Sequence, residues 1–322
     1  MRTTNAEGYS YESVATVAGE PPYPPELVAE SKALLAGTLD IVKMLPHARQ
    51  VVELVAAKYP VHAGRARVAA AVIGIDPLDL LTANLCYDLL LGLSGMGCST
   101  LALAGTDGPI LARNMDWFPE AKVARASRLI AAEYGVNAGF LGLIGAVTGL
   151  SRNGFCVCLN ATFGGSDPDG YPVLLFLRHV LDTATGYRQA LDMVASERLM
   201  TGGIVTVVGT RNDERAVVER TPRRANVRSA AGAEPLFATN HYRDLAAAEA
   251  CPRYDHLSAY AGKHPPLEVL TSRHVLQTIT AQHVVMCPAT QTAEMFVPSH
   301  LLSADYREEL SIAELIGFFM AK

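Results

Sequence analysis

The chain has 322 residues, 50% hydrophobic and 18% charged, with a formal net charge of −5. That is enough to bury a full core as one large domain or two smaller ones. The absence of any lysine or arginine run removes electrostatic support for a nucleic-acid partner or a polybasic membrane role.

Residues 1–24 are polar, lack the basic start and apolar run of a secretion signal, and read as a mobile or wrapping arm. Residues 25–93 read as helical. Val28, Leu35, Leu39 and Val42 share one face, and Pro46 stops that helix. A second helix is expected over 47–59, and a third over 76–93, opened by Asp76-Pro77. The pattern changes at Ser94-Gly95-Met96-Gly97. Strands are expected at 98–104, 110–116, 126–134, 139–147 and 154–162, then helices near 171–183 and 186–198. Strands near 203–210, 214–220 and 235–239 follow, then helices near 253–262 and 266–279. Strands near 282–287 and 291–297 and a last helix near 305–319 complete the chain. The uncharged run from Tyr134 to Ser151 is the only candidate membrane span. Its five glycines weaken a helix and no basic flank marks a topology, so it reads as two buried strands and a turn. Strand runs and helix runs are segregated, which predicts layered antiparallel sheets with helices outside, not βαβ winding.

The chemistry concentrates at Met96-Gly97-Cys98-Ser99-Thr100 and Ala112-Arg113-Asn114-Met115-Asp116-Trp117, joined by the turn Thr106-Asp107-Gly108-Pro109. Folding this hairpin about residue 107 sets Asp116 almost opposite Cys98 and gathers a thiol, a guanidinium and a carboxylate. Arg113 and Asp116 are three apart and point to opposite faces of a regular strand; both reach Cys98 only if the strand bulges near Asn114. Buried inert cysteine is the commonest fate of a cytosolic cysteine. Here, a cut between Gly97 and Cys98 would give Cys98 a free α-amine of pKa near ~7.7–8.0, a base that makes a histidine unnecessary.

Asn160 and Asn240 each end an apolar strand. Alone, each reads as a turn residue; together they offer two amide donors for an oxyanion. Arg253 reads by default as a solvated helix-start residue. Asn84, Tyr87 and Asp88 make a polar stripe, either a satisfied buried network or a helix packed beside the Cys98 site. Cys156 and Cys158 share a strand face but lack a second pair for zinc, and the nine histidines show no HxxxH or HxH spacing. No metal or cofactor is expected. His241 supports a competing Cys–His dyad. The six cysteines (86, 98, 156, 158, 251 and 287) show no framework spacing, which points to a reducing, cytoplasmic setting.

The Cys98 and Arg113–Trp117 motifs resemble the mature N-terminus of the acid ceramidase and N-acylethanolamine acid amidase group, in the choloylglycine hydrolase branch of the N-terminal-nucleophile amidases. Asn84-Leu85-Cys86-Tyr87-Asp88, Ala138-Gly139-Phe140-Leu141-Gly142, Thr148-Gly149, Gly154-Phe155, Leu159-Asn160, and Thr239-Asn240 thirteen residues before Arg253 keep the family's order. The likeness runs from about residue 60 to 260. It implies an α+β fold, a four-layer αββα sandwich, with a helical leader over 1–97 and a catalytic segment over 98–322. It implies self-cleavage before Cys98, the leader being retained afterwards.

The resemblance also implies roles. Cys98 would be nucleophile and, through its new amine, base; Asp116 would orient that amine; Arg113 would favour the thiolate; Asn160 and Asn240 would hold the oxyanion; Arg253 would brace the site. Three departures stand out: a glycine-rich link from Gly92 to Gly97, no match to the disulfides of the secreted members, and Ala161-Thr162 where the family has an arginine after its asparagine. The expected activity is a cytoplasmic cysteine amidase acting on a small-molecule, linear N-acyl amide with an apolar acyl chain. The glycines of 135–149 were expected to leave room for that chain. An acyltransferase or a penicillin- or bile-salt-type acylase is the alternative enzyme, and a noncatalytic lipid or amide binder the alternative of another class.

Overall fold

A computed structural model of the chain describes residues 1–90 and 97–307. Short strands β1 (Arg2–Thr4), β2 (Ser10–Ser13) and β3 (Thr16–Ala18) precede helices α1 (Pro25–Val42), α2 (Ala48–Lys58), α3 (Pro60–Ile73), α4 (Pro77–Asn84) and α5 (Cys86–Leu89). The hairpin β4 (Gly97–Leu103) and β5 (Ile110–Asp116) follows, then α6 (Glu120–Ala126), β6 (Arg128–Ala132), β7 (Gly135–Gly139), β8 (Thr148–Ser151) and β9 (Phe155–Asn160). Next come α7 (Val173–Thr183), α8 (Tyr187–Ser196), β10 (Gly203–Val208), β11 (Arg215–Arg220), β12 (Ala225–Ser229) and β13 (Leu236–Ala238). The described chain closes with α9 (Pro252–Tyr260), α10 (Pro266–Leu270), β14 (Thr280–Cys287), β15 (Thr292–Pro298) and a 3-10 turn, Ser299–Leu302.

The strands make two sheets, ordered β1-β2-β15-β14-β5-β4-β13 and β12-β11-β10-β9-β8-β7-β6-β3. Their facing sides bury Ala102, Leu111, Leu150, Cys156, Val284 and Met286 between them. Outside the first sheet, Leu257, Val269 and Leu270 of α9 and α10 pack on Leu101 and Ala112. Outside the second, Leu34, Leu80, Leu174 and Leu177 of the first helices and α7 pack around Phe155, Val157 and Leu159. Helix, sheet, sheet, helix is the four-layer α+β sandwich the sequence predicts.

The arm wraps. β2 pairs with β15 in one sheet and β3 runs parallel to β6 in the other, so residues 2–18 tie both sheets together. The run 134–151 forms β7, β8 and an irregular link, and no described helix is long and apolar enough to cross a membrane. The structure departs from the sequence reading at several elements. Pro60 ends α2 and also opens α3, because proline suits the first helical turn; the expected reading missed that helix. The helix expected over 76–93 is broken at Leu85, whose φ of −96° and ψ of 5° leave the helical range, and the Asn84 side chain just before it donates to the Leu80 carbonyl. The helix expected over 266–279 stops at Leu270, after which turns carry Val275 into the core. β12 and α6 were not anticipated, nor was the irregular link at 140–147, where the sequence suggested a strand. Residues 91–96, and the expected last helix from 308 onward, lie outside the described residues.

The glycines of 135–149 do not leave open space. A Cβ at Gly139 would meet Leu143, at Gly142 Ile73 and Leu35, at Gly145 Leu174, and at Gly149 Leu181, each within 3.0 Å. They permit close packing of helices and strands, so the space expected at each glycine is filled, although Gly139 and Gly142 still border cavities.

Candidate active site

Cys98 is the second residue of β4, and β5 returns next to it. The register pairs Gly97 with Asp116, Cys98 with Met115 and Thr100 with Arg113. The hairpin thus turns half a residue earlier than expected: Cys98 faces Met115 across the ladder, and Asp116 faces Gly97. No bulge interrupts β4–β5; the irregularity lies between β5 and β14, at Thr280/Gln282. The regular strand assigns Arg113 and Asp116 to opposite faces, as alternation demands.

Each face meets a different part of Cys98. Arg113 turns between the sheets, where its Nη2 donates to Cys98 Sγ at 2.6 Å and its Nη1 donates to Thr148 Oγ1 at 2.8 Å. Asp116 lies against the backbone. A Cβ on Gly97 would fall 2.7 Å from Asp116 Oδ2, so only glycine fits there. Thr280 Oγ1 donates to Asp116 Oδ1 at 2.7 Å, whereas Oδ2 is buried and accepts no hydrogen bond, with Arg253 Nη1 standing 3.6 Å away. Burial raises the Asp116 pKa, opposed by Arg253, Thr280 and Arg113.

Asn240 and Arg253 reach the same backbone from the other side. Asn240 Oδ1 accepts from Cys98 N at 3.0 Å and from Arg253 Nη2 at 2.9 Å. Arg253 Nη1 donates to Cys98 O at 2.9 Å and to Ser99 Oγ at 3.2 Å. Asn160 and Asn240 are cross-braced: Asn160 Nδ2 donates to Ala238 O and Asn240 Nδ2 to Ala161 O, at 3.2 and 2.7 Å. Each amide keeps a second hydrogen for another acceptor. All six residues singled out in the sequence therefore converge on one place.

Burial pushes the Cys98 thiol up; Arg113 and the backbone N–H groups of Ala161 and Asp116 pull it down, while the Asp116 charge raises it. The net direction is upward, with burial the largest cause. The six cysteines are free.

Sequence reasoning gave no role to the residues that aim this set. Thr100 Oγ1 donates to Asn160 Oδ1 at 2.6 Å, Thr148 anchors Arg113 and Thr280 anchors Asp116. Glu219 accepts from the backbone N–H groups of Arg243, Asp244 and Leu245, which fixes the loop after Asn240. Isolated threonines and a strand glutamate carry no local signal. His241 pairs with Glu249 at 3.0 Å, and no hydrogen bond among the described residues joins it to Cys98. Asn84, Tyr87 and Asp88 form the satisfied network: Asn84 bonds Gly142 O, Ile144 N and Gly145 N; Tyr87 bonds Gly202 O; Asp88 accepts from Val173 N and Thr201. Among the described residues, no His/Cys/Asp/Glu group is arranged to hold a metal.

A thiol set among a guanidinium, a carboxylate and two side-chain amides has the groups that acyl-transfer chemistry uses. The family described as acyl-coenzyme A:6-aminopenicillanic acid acyl-transferase matches residues 103–283, and the chain belongs to that family. Among solved structures, it is similar to a Caenorhabditis elegans N-acylethanolamine-hydrolyzing acid amidase ortholog at 21% identity and TM-score 0.50, covering 60% of this chain and 93% of that one. It is also similar to a mutant conjugated bile acid hydrolase from Clostridium perfringens at 14% identity and TM-score 0.37, covering 67% and 98%. No curated protein sequence matches it.

Proposed function

We propose that the chain is a cysteine amidohydrolase that cleaves the Gly97–Cys98 bond and then hydrolyses a linear N-acyl amide through a thioester on Cys98. The observation that supports this most is the division of labour around Cys98. A guanidinium meets the sulfur, an amide oxygen meets the nitrogen, and a carboxylate oxygen without a hydrogen-bond donor lies against the glycine that would leave.

In the first step, Sγ attacks the Gly97 carbonyl carbon, and the Gly97–Cys98 C–N bond breaks as its nitrogen takes the thiol proton. The resulting thioester takes up water, leaving Gly97 with a carboxylate and Cys98 with a thiol and a free α-amine. That amine has Asp116 Oδ2 and Asn240 Oδ1 as acceptors. Residues 1–97 stay bound, because β1, β2, β3 and the first helices are built into the sandwich. In turnover, the amine accepts the thiol proton, Sγ attacks the substrate carbonyl, and the spare hydrogens of Asn160 and Asn240 meet the developing oxyanion. The ammonium returns its proton to the departing amine, and water then releases the acid.

Met115, which pairs with Cys98 across the β4–β5 ladder, borders an uncharged cavity with Trp117, Val147 and Phe140, which favours an apolar acyl chain. The cavity there is about 30 Å³, room for one water, so acyl entry requires these side chains to move apart.

The test is an acid quench during turnover of an N-acylethanolamine, followed by peptide mass analysis. An acyl adduct on Cys98 is expected, and none in Cys98→Ala. Turnover with no adduct in either protein refutes the thioester. The family match favours one second reading, transfer of the acyl group to an amine instead of water. Formation of a new amide when 6-aminopenicillanic acid is added would select it.

A further inference from the structure

A cleft of about 450 Å³ opens between α3, the arm, β6, β7 and α7, within the size range of small-molecule sites. No residue that bonds Cys98 lines it. Val68, Val72, Ile130, Phe140 and Leu143 give it an apolar body. Its charged lining residues among those described are Arg65 and Arg178 alone. Both guanidiniums share one carboxylate behind the wall, Asp182, at 2.6 and 2.9 Å, and the cleft's own lining adds no other; Glu20 and Glu133 border the adjoining cavity, where Glu133 pairs with Arg152. Arg178 is held over the Tyr134 ring at 3.9 Å, which fixes its plane.

A second observation is independent of charge. Asn137 also lines the cleft and is 2% exposed. Its Nδ2 donates to Gly145 O at 3.1 Å, which leaves Oδ1 as the free end, and Oδ1 has no hydrogen-bond donor. A buried acceptor without a donor is costly unless something supplies one. Apolar walls, two guanidiniums and a waiting acceptor ask for an aliphatic chain, an anion and an N–H or O–H on one molecule.

We propose that this cleft, which meets the cavity bordered by Met115 at Phe140 and Leu143 but holds no residue that bonds Cys98, is a second binding site for a long-chain N-acyl amino acid. The carboxylate meets Arg65 and Arg178, the amide N–H donates to Asn137 Oδ1, and the acyl chain lies along Val68, Val72 and Ile130. The site does not depend on the chemistry at Cys98. Loss of turnover would leave it standing, and its failure would leave the thioester mechanism standing.

The experiment is calorimetric titration of the full chain carrying Cys98→Ala, so that ligand is not consumed, with N-dodecanoylglycine. Saturable binding is expected, strengthening about fourfold per added methylene. Dodecanoate, which lacks the donor, should bind at least fivefold more weakly, and dodecyltrimethylammonium should not bind. Arg65→Gln should weaken N-dodecanoylglycine at least tenfold. Val68→Glu, at a position 69% exposed and therefore safe for folding, should do the same by placing a carboxylate at the rim. Equal affinity for the cationic detergent, or parental affinity in Val68→Glu, would overturn the proposal.

Discussion

Arg113 Nη2 stands 2.6 Å from Cys98 Sγ, and both side chains are sealed from solvent. No carboxylate among the described residues lies within ion-pair distance of Arg113; Asp116 pairs instead with Arg253. A buried cation is costly without a counter-charge, so the site is built to gain an anion at sulfur. Arg113→Gln should therefore slow iodoacetamide alkylation of Cys98 at least tenfold and lower kcat about 10- to 100-fold, the range of a charge-assisted hydrogen bond. An unchanged alkylation rate would show that Arg113 is structural only.

Asn160→Ala and Asn240→Ala should lower kcat about 10²–10³-fold, more than they raise KM. Because each asparagine also braces a strand end, both should lose on the order of 1 kcal/mol of stability. Thr100→Val removes only the bond that orients Asn160, so its kcat loss should be smaller than that of Asn160→Ala. His241→Ala should keep near-parental kinetics. Loss of stability without loss of kcat in the asparagine variants would make them turn residues; loss of activity in His241→Ala would revive the dyad.

Gly97→Ala should block chain cleavage while most of the fold survives. The added methyl would sit 2.7 Å from Asp116 Oδ2 and 3.2 Å from its Cβ, which Thr280 holds in place. The readout is the fraction cleaved against time on a denaturing gel, expected to fall at least tenfold. Cleavage at the parental rate would contradict the role given to that contact.

The site was legible where chemistry is local. Cys98, Arg113 and Asp116 sit on one hairpin, and Asn160 and Asn240 end apolar strands whose polar caps stand out. The register was not, because a turn's centre sets it and a half-residue shift exchanges Asp116 for Met115 opposite Cys98. Thr280 and Glu219 were invisible, and Thr148 stood only as a motif residue without a role, for another reason: their partners come from other strands, and a threonine in a strand is ordinary. The arm's strands are only three or four residues long, too short to show a pattern by themselves. In 135–149 small residues suggested space, whereas the neighbours fill it.

Burial holds Asp88 at about 7, far above its ordinary 3.8. The native state keeps a proton that the unfolded chain releases above about pH 4. This contribution to stability is therefore present below about pH 4 and is lost as pH rises to about 7. Asp88→Asn removes it. The stability difference, parent minus variant, should fall on the order of 2–4 kcal/mol between pH 4 and 7 and then level off. Denaturant melts across that window measure it, and a flat difference would contradict the assignment.

The central claim is that Cys98 becomes an N-terminal nucleophile, and the intact mass of active, purified protein tests it most directly. The account predicts two masses, for residues 1–97 and 98–322, that co-elute under native conditions, and a single uncleaved chain in Cys98→Ala. Full activity from a chain that remains one 322-residue polypeptide would contradict it.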